Sequence, residues 1–255
     1  MHTKRSILEA SFIHVPRIGH STEQKLWKAG ANNWQVYMSN DDWPISIAQK
    51  QLLDVHIPES VSRLQLKDWA WFAKTLPQSE HWRAVHTFSS QLLYLDIETN
   101  GEQERDSITV IGAFDGTEMK QFVRGVNLEE FETSLSNTAI LVTFFGSGFD
   151  IPMIRRAFPQ LQLPQMHIDL CFMLKRLGYK GGLKSIERQL GLSRSGETNG
   201  LNGMDAVRLW DEYQTYGSKR ALDTLLAYNR EDVINMAVLL EKGYRLMEKT
   251  LDRDF

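Results

Sequence analysis

Cysteine is almost missing from this sequence of 255 residues, since Cys171 stands alone and has no partner for an internal disulfide. That excludes a disulfide-stapled secreted scaffold and makes a reducing, cytoplasmic setting the expectation. Long hydrophobic runs are missing too. The longest, Ala139–Phe145 and Met236–Leu240, fall far short of the ~18 residues of a membrane helix, so no membrane partner is expected. The opening Met-His-Thr-Lys-Arg has no apolar stretch behind it, and no secretory leader is expected. Nor is there an excess of positive charge: the formal net charge is −3. Bulk charge therefore does not advertise nucleic acid, and such a partner has to be held by local basic patches or metal ions. With 42% hydrophobic and 24% charged residues and only 7 prolines, the chain is neither disordered nor fibrous. It contains no internal repeat.

The residues that are present are unevenly spread. Trp27, Trp34, Trp43, Trp69, Trp71 and Trp82 crowd the first third, leaving only Trp210 beyond, and six of the seven histidines precede residue 87. Residues 1–90 hold 10 Lys+Arg against 8 Asp+Glu, whereas residues 91–255 hold 19 against 24. The expected division is a small, mostly helical region over 1–88 and a larger domain over 89–255.

In the larger region, Leu92–Ile97 reads as a buried strand closed by the turn Thr99-Asn100-Gly101. Ser107–Phe114 and Met119–Arg124 follow as strands, and the short turns between them predict an antiparallel meander. A polar helix is expected at Leu128–Ser136, then a wholly apolar strand at Ala139–Phe145, placed inside a sheet. Helices follow at Ile151–Ala157, Leu170–Leu177, Leu183–Leu190, Ala206–Tyr213, Ala221–Tyr228 and Glu231–Met247. This order of elements predicts an α/β fold, a mixed sheet covered by helices.

The chemistry is carried by carboxylates. Asp96 and Glu98 stand two apart on an extended strand, so they share one face. Two such groups repel unless a cation neutralises them, and hard divalent ions take oxygen ligands of this kind. A solvated strand end is the plain alternative. Asp150 follows the apolar strand after Gly146-Ser147-Gly148, with Pro152 just inside the next helix, an expected N-cap position. Asp232 lies four residues after Tyr228 on a helix, so hydroxyl and carboxylate share a face.

Leu-Asp-Ile-Glu-Thr at 95–99, Phe-Asp-Ile-Pro at 149–152 and Tyr-Asn-Arg-Glu-Asp at 228–232 resemble, in order, the three motifs of the DEDD (DnaQ-like) 3′–5′ exonuclease superfamily. The Tyr228–Asp232 spacing resembles its tyrosine-type branch. More narrowly, Tyr94–Gly101, Gly181–Glu187, Asp205–Trp210 and Leu225–Val233 resemble the YprB-type predicted exonucleases, over about residues 90–245. The resemblance implies an RNase H-like fold, two Mg²⁺ or Mn²⁺ ions, and release of 5′-mononucleotides from 3′ ends of single-stranded DNA or RNA. It implies that Asp96 bridges the ions, that Glu98 and Asp232 complete one, that Asp150 holds the other, and that Tyr228 orients the attacking water. Thr99, Asn100 and Phe149 are candidate substrate contacts by their place in these motifs. Phe145 stands where relatives often carry an asparagine that touches the terminal nucleotide, and Asp169 resembles an acid in a supporting position.

Lys180 and Lys184, with Lys175 and Arg176, flank the turn Gly181-Gly182 at a helix start, where backbone amides and ammonium groups can cradle a phosphate. A solvated basic turn is the alternative. Tyr179 and Phe149 are candidates for stacking on bases. Ser193–Gly203, with three glycines, reads as a mobile loop over the site. In the first region, Phe12–Gly30 resembles a helix–hairpin–helix element, with Arg17 where the hairpin usually has glycine; such hairpins grip backbone phosphates. The alternative is a helical cap whose tryptophans pack on the larger domain. Helices are expected at Ile45–Val55 and Ser60–Thr75. Two other function classes stay open at this point: a nucleic-acid-binding module with the same fold and no turnover, and a structure-selective RNase H-like endonuclease.

Overall fold

The computed structural model describes residues 6–252 except 103, 105, 195 and 197. The opening pentapeptide on which the leader expectation rests lies outside these residues, as do two positions of the loop 193–203. The chain divides into two compact units, one of Met1–Ser89 with Tyr244–Phe255 and one of Ser90–Gly243.

In the first unit, α1 (His20–Lys28), α2 (Trp34–Met38), α3 (Ile47–Gln65) and α4 (Trp69–Thr75) pack around their own core. The indole N–H groups of Trp27, Trp34 and Trp43 donate to the carbonyls of Ala10, Ser11 and Tyr37 at 2.7, 2.7 and 3.1 Å, all within this unit. The sequence led us to expect a helix break before Ser60, but α3 runs straight through Pro58. Leu53, Ile57 and Ser60 are fully buried on one stripe, and that packing outweighs the lost hydrogen bond. The break falls later, where Lys67 takes φ 53° and the Asp68 side chain caps α4 by accepting from Trp71 N at 3.0 Å. Arg17 is exposed with φ 65°, the left-handed conformation that glycine ordinarily supplies in such a turn.

The second unit is built on a five-stranded mixed sheet in the order β3-β2-β1-β4-β5. Its strands are β1 (Leu92–Thr99), β2 (Ile108–Phe114), β3 (Met119–Val123), β4 (Ile140–Thr143) and β5 (Met166–Asp169). The first three form the expected antiparallel meander, while β4 and β5 run parallel to β1 and to each other. The sequence reading missed β5, four residues that include His167 and Asp169. The His167 ring is buried because its Nε2 pairs with Thr143 Oγ1 at 2.9 Å, a partner invisible to local periodicity. Phe145, expected to end the β4 strand, has left it with φ 61°.

Helices α5 (Phe131–Ser134), α6 (Asp150–Ala157), α7 (Leu170–Arg176), α8 (Leu183–Gln189), α9 (Gly203–Tyr216) and α10 (Lys219–Asp252) complete the fold. Leu93, Leu95 and Ile97 of β1 enter one core with Met153 and Ile154 of α6. The strand's period of two sends Asp96 and Glu98 to the opposite face. There Val110 and Val123 pack with Trp210 of α9 and with Leu225 and Tyr228 of α10. The two helices expected at 221–228 and 231–247 are one. Asn229 does not interrupt it, because its side chain bonds across to β1 instead of to its own backbone.

Candidate active site

The acidic site lies where the face of β1 that carries Asp96 and Glu98 meets α10. One carboxylate oxygen each from Asp96, Glu98 and Asp232 lie within 4.8 Å of one another. Burial, then mutual repulsion, pushes Asp96 and Glu98 well above the ordinary carboxylate range. Burial raises Asp232 to about 6 against the opposing pull of Arg194. Asp150 is raised to about 7, again chiefly by burial, and its backbone hydrogen bonds oppose the shift. Glu98 Oε1 is buried and no hydrogen-bond donor satisfies it, while Asp232 Oδ1 meets only the Arg194 guanidinium. Oxygen atoms that are buried, crowded and unsatisfied fit a hard divalent cation better than they fit any arrangement of protein donors.

Asp150 is buried beside this triad but is held differently. It was expected to cap α6; instead it is the first helical residue, and Phe149 takes the cap position without a side-chain bond. Its Oδ1 accepts from Ile97 N at 3.1 Å, tying the start of α6 to β1 between the two acids of that strand.

Tyr228 is buried in the core beside the acids. Its hydroxyl lies 3.0 Å from Lys184 Nζ, and the ammonium sits 4.3 Å from the ring centroid. Burial, then the carboxylates of Asp232, Glu98 and Asp96, raise the phenol's pKa, so Tyr228 keeps its proton. An ammonium can only donate, so Lys184 fills a lone pair on the phenol oxygen and leaves the phenol proton to be given elsewhere. Lys184 also donates to the Leu201 carbonyl. It therefore faces the acids and Leu201, whereas the sequence places it with Lys180 at a phosphate cradle. Lys180 is exposed, and its carbonyl accepts from Gln189 Nε2 at 2.7 Å. Thr99 is buried, with Oγ1 accepting from Gly101 N at 3.3 Å, and the Asn100 amide donates to Glu102 Oε2 at 2.8 Å. Phe149 is exposed. Arg17 belongs to the other unit.

Three residues at the site were not singled out from sequence. Asn229, wholly buried on α10, donates to Asp96 Oδ2 at 3.1 Å and to the Asp96 carbonyl at 3.3 Å, and its own Oδ1 accepts from Gln121 Nε2 at 3.2 Å. Gly112, the antiparallel partner of Asp96 on β2, makes room for it: a Cβ there would come within 2.2 Å of Asn229 Oδ1. Arg194, from the glycine-rich loop, grips Glu187 at 2.6 and 2.7 Å and approaches Asp232 Oδ1 at 2.5 Å. Arg194 lies in the stretch 193–203 expected to be mobile. The only local signal for Asn229 was its place between two acidic-motif residues, and for Arg194 there was none.

The turn before Asp150 is shaped by Asp169. This side chain caps α7 by accepting from Cys171 N at 3.1 Å, and also accepts from Phe145 N at 2.8 Å, Ser147 N at 3.1 Å and Ser147 Oγ at 2.5 Å. Gly146 is required there, because a Cβ would fall 2.1 Å from Thr143 Oγ1. Phe145 holds a left-handed conformation that costs a bulky side chain about 1–3 kcal/mol.

Residues 93–244 match the model of the RNase_H superfamily, and the chain belongs to that superfamily. Membership agrees with the mixed sheet and its flanking helices and supports a nuclease-type function. No curated protein matches the sequence. Among solved structures, the family B DNA polymerase of the hyperthermophilic archaeon Pyrobaculum calidifontis is 17% identical with a TM-score of 0.47, covering 59% of this chain and 24% of that one. Escherichia coli RNase D, an exoribonuclease involved in structured RNA processing, is 15% identical with a TM-score of 0.40, covering 69% of this chain and 48% of that one. The chain thus spans less than half the length of either protein. Among the described residues no helix is long and apolar enough to cross a membrane.

Proposed function

We propose that this chain is a divalent-metal-dependent 3′–5′ exonuclease of the DEDD type, acting on single-stranded DNA or RNA. The observation that carries the reading is the triad of Asp96, Glu98 and Asp232, whose oxygens crowd within 4.8 Å while the buried Glu98 Oε1 finds no donor. Mg²⁺ or Mn²⁺ bound there would stabilise the charge that develops as water attacks phosphorus in line and the bond to the 3′ oxygen breaks. Asp96, Glu98 and Asp232 would hold one ion, and Asp96 with Asp150 a second. Asn229 keeps the Asp96 carboxylate turned into the site. Tyr228, protonated and with one lone pair occupied by Lys184, offers its proton as a hydrogen bond that orients the reacting oxygen atoms. Arg194 neutralises Asp232 from the loop side and limits how much negative charge the substrate meets. The products are 5′-mononucleotides.

The test is a digestion panel: end-labelled linear and circular single strands of DNA and RNA, with Mg²⁺, with Mn²⁺ and with EDTA. Stepwise loss of mononucleotides from free 3′ ends, circles left intact and silence in EDTA are the expected results. Cleaved circles would replace the reading with an endonuclease, and binding without cleavage of any substrate would replace it with a nucleic-acid-binding module.

A further inference from the structure

Two exposed aromatic rings stand at the carboxyl ends of neighbouring parallel strands. Thr143 at the end of β4 pairs with Asp169 at the end of β5. Phe145 follows the first by two residues and Phe172 follows the second by three. Each is 48% exposed, and their ring centroids lie 6.3 Å apart. In open sheets of this kind, ligands collect outside the carboxyl ends of parallel strands. The backbone at Phe145 is left-handed, where glycine or asparagine is accommodated with least strain. Gly148 lies against the Phe145 ring, since a Cβ there would come within 2.6 Å of it. The turn that carries this ring ends on Asp150, and Ile151 N donates to Gly146 O at 2.9 Å to close it. A bulky ring held in a strained turn, unburied, next to the catalytic acids is not explained by packing. The neighbouring face of α7 adds charge: Phe172, Lys175 and Arg176 stand at i, i+3 and i+4, all exposed. Aromatic rings beside cations are the surface that single-stranded nucleic acid selects, bases on the rings and phosphates on the cations.

We propose that Phe145 and Phe172 form a stacking platform for an unpaired base of a single-stranded nucleic acid whose 3′ end enters the acidic site. The proposal rests on the nuclease reading and adds to it a grip on the base itself, independent of the metal ligands. Because any base has a π-face, the platform selects single strands over duplexes without reading sequence.

The test uses a short phosphorothioate oligothymidylate, whose bases stack weakly, with 2-aminopurine near its 3′ end, followed by fluorescence without added metal. Stacking on the rings quenches 2-aminopurine, so the wild type is expected to bind and quench. Phe145→Gly suits the left-handed backbone and removes the ring without adding a side chain that could touch the nucleotide, and Phe172→Ser changes an exposed helix position. Each is expected to abolish most of the quench and weaken Kd about tenfold, at the lower end of the range for one lost base stack. An oligonucleotide abasic at that position should bind wild type and variants alike. Variants that quench and bind as the wild type does would overturn the platform and leave the nuclease reading standing. A wild type that binds neither this oligonucleotide nor its ribonucleotide counterpart, with or without Mn²⁺, would overturn both.

Discussion

Gly112→Ala tests the least visible part of the site, the space between β2 and α10. The added methyl would sit 2.2 Å from Asn229 Oδ1, 3.0 Å from Asn229 Cγ and 2.9 Å from Val233 Cγ2. Asn229 is wholly buried, so its amide has to move off Asp96 and Gln121. Overpacking costs about 1–3 kcal/mol. A buried amide left without its partners costs about another 1–3 kcal/mol. Against these stands a gain of roughly 0.5–1 kcal/mol for replacing glycine inside a strand. The expected net loss is about 1–5 kcal/mol, read from urea unfolding at unchanged m. Because Asn229 orients Asp96, Mn²⁺ affinity measured by calorimetry should fall about 10–100-fold as well. The double variant Gly112→Ala/Asn229→Ala removes the colliding amide, so its loss should be smaller than the sum of the singles by at least about 1 kcal/mol. A Gly112→Ala protein within about 0.5 kcal/mol of the wild type, or strict additivity with Asn229→Ala, would refute the close-approach argument.

Three further outcomes follow from the site. In metal-free protein the four acids resist ionising, Asp150 up to about 7 and Asp232 up to about 6. In the unfolded chain they ionise near ~4, so they favour the folded state below that pH and oppose it increasingly as pH rises towards ~7. Asp96→Asn removes the most crowded charge, so its Tm advantage in EDTA should grow between pH ~4.5 and ~7; an advantage that shrinks over that interval contradicts the sign. Tyr228→Phe should lower kcat by ~10²–10⁴-fold while Mn²⁺ binding persists, and near-normal turnover would mean the hydroxyl only packs. If the exposed turn at Arg17 grips phosphates, Arg17→Ala with Lys25→Ala should weaken single-strand binding most at low salt and reduce the salt slope by roughly 0.7 per lost contact. Equal binding at every salt concentration would make that turn purely structural.

The sequence by itself determined the elements whose causes are local. The apolar runs at 92–97 and 139–145, the meander turns, and the pairing of acids at spacings of two and four all follow from backbone periodicity. The three ordered motifs marked the residues that α10 and β1 bring together, and Asp96, Glu98 and Asp232 were legible for that reason. The tertiary structure decided whatever depends on a partner far along the chain. β5 exists because Thr143 pairs with His167 across 24 residues and β4 offers an open edge. Asp150 gives up its cap because Ile97 N, 53 residues away, takes its oxygen. Asn229 becomes the support of Asp96 only because a glycine opposite that strand position leaves room, and Arg194 meets Asp232, a residue far along the chain. Phe145 is apolar and follows an apolar run, so the sequence alone extends the strand through it. Its left-handed turn is set by Asp169 hydrogen bonds that no short-range pattern encodes.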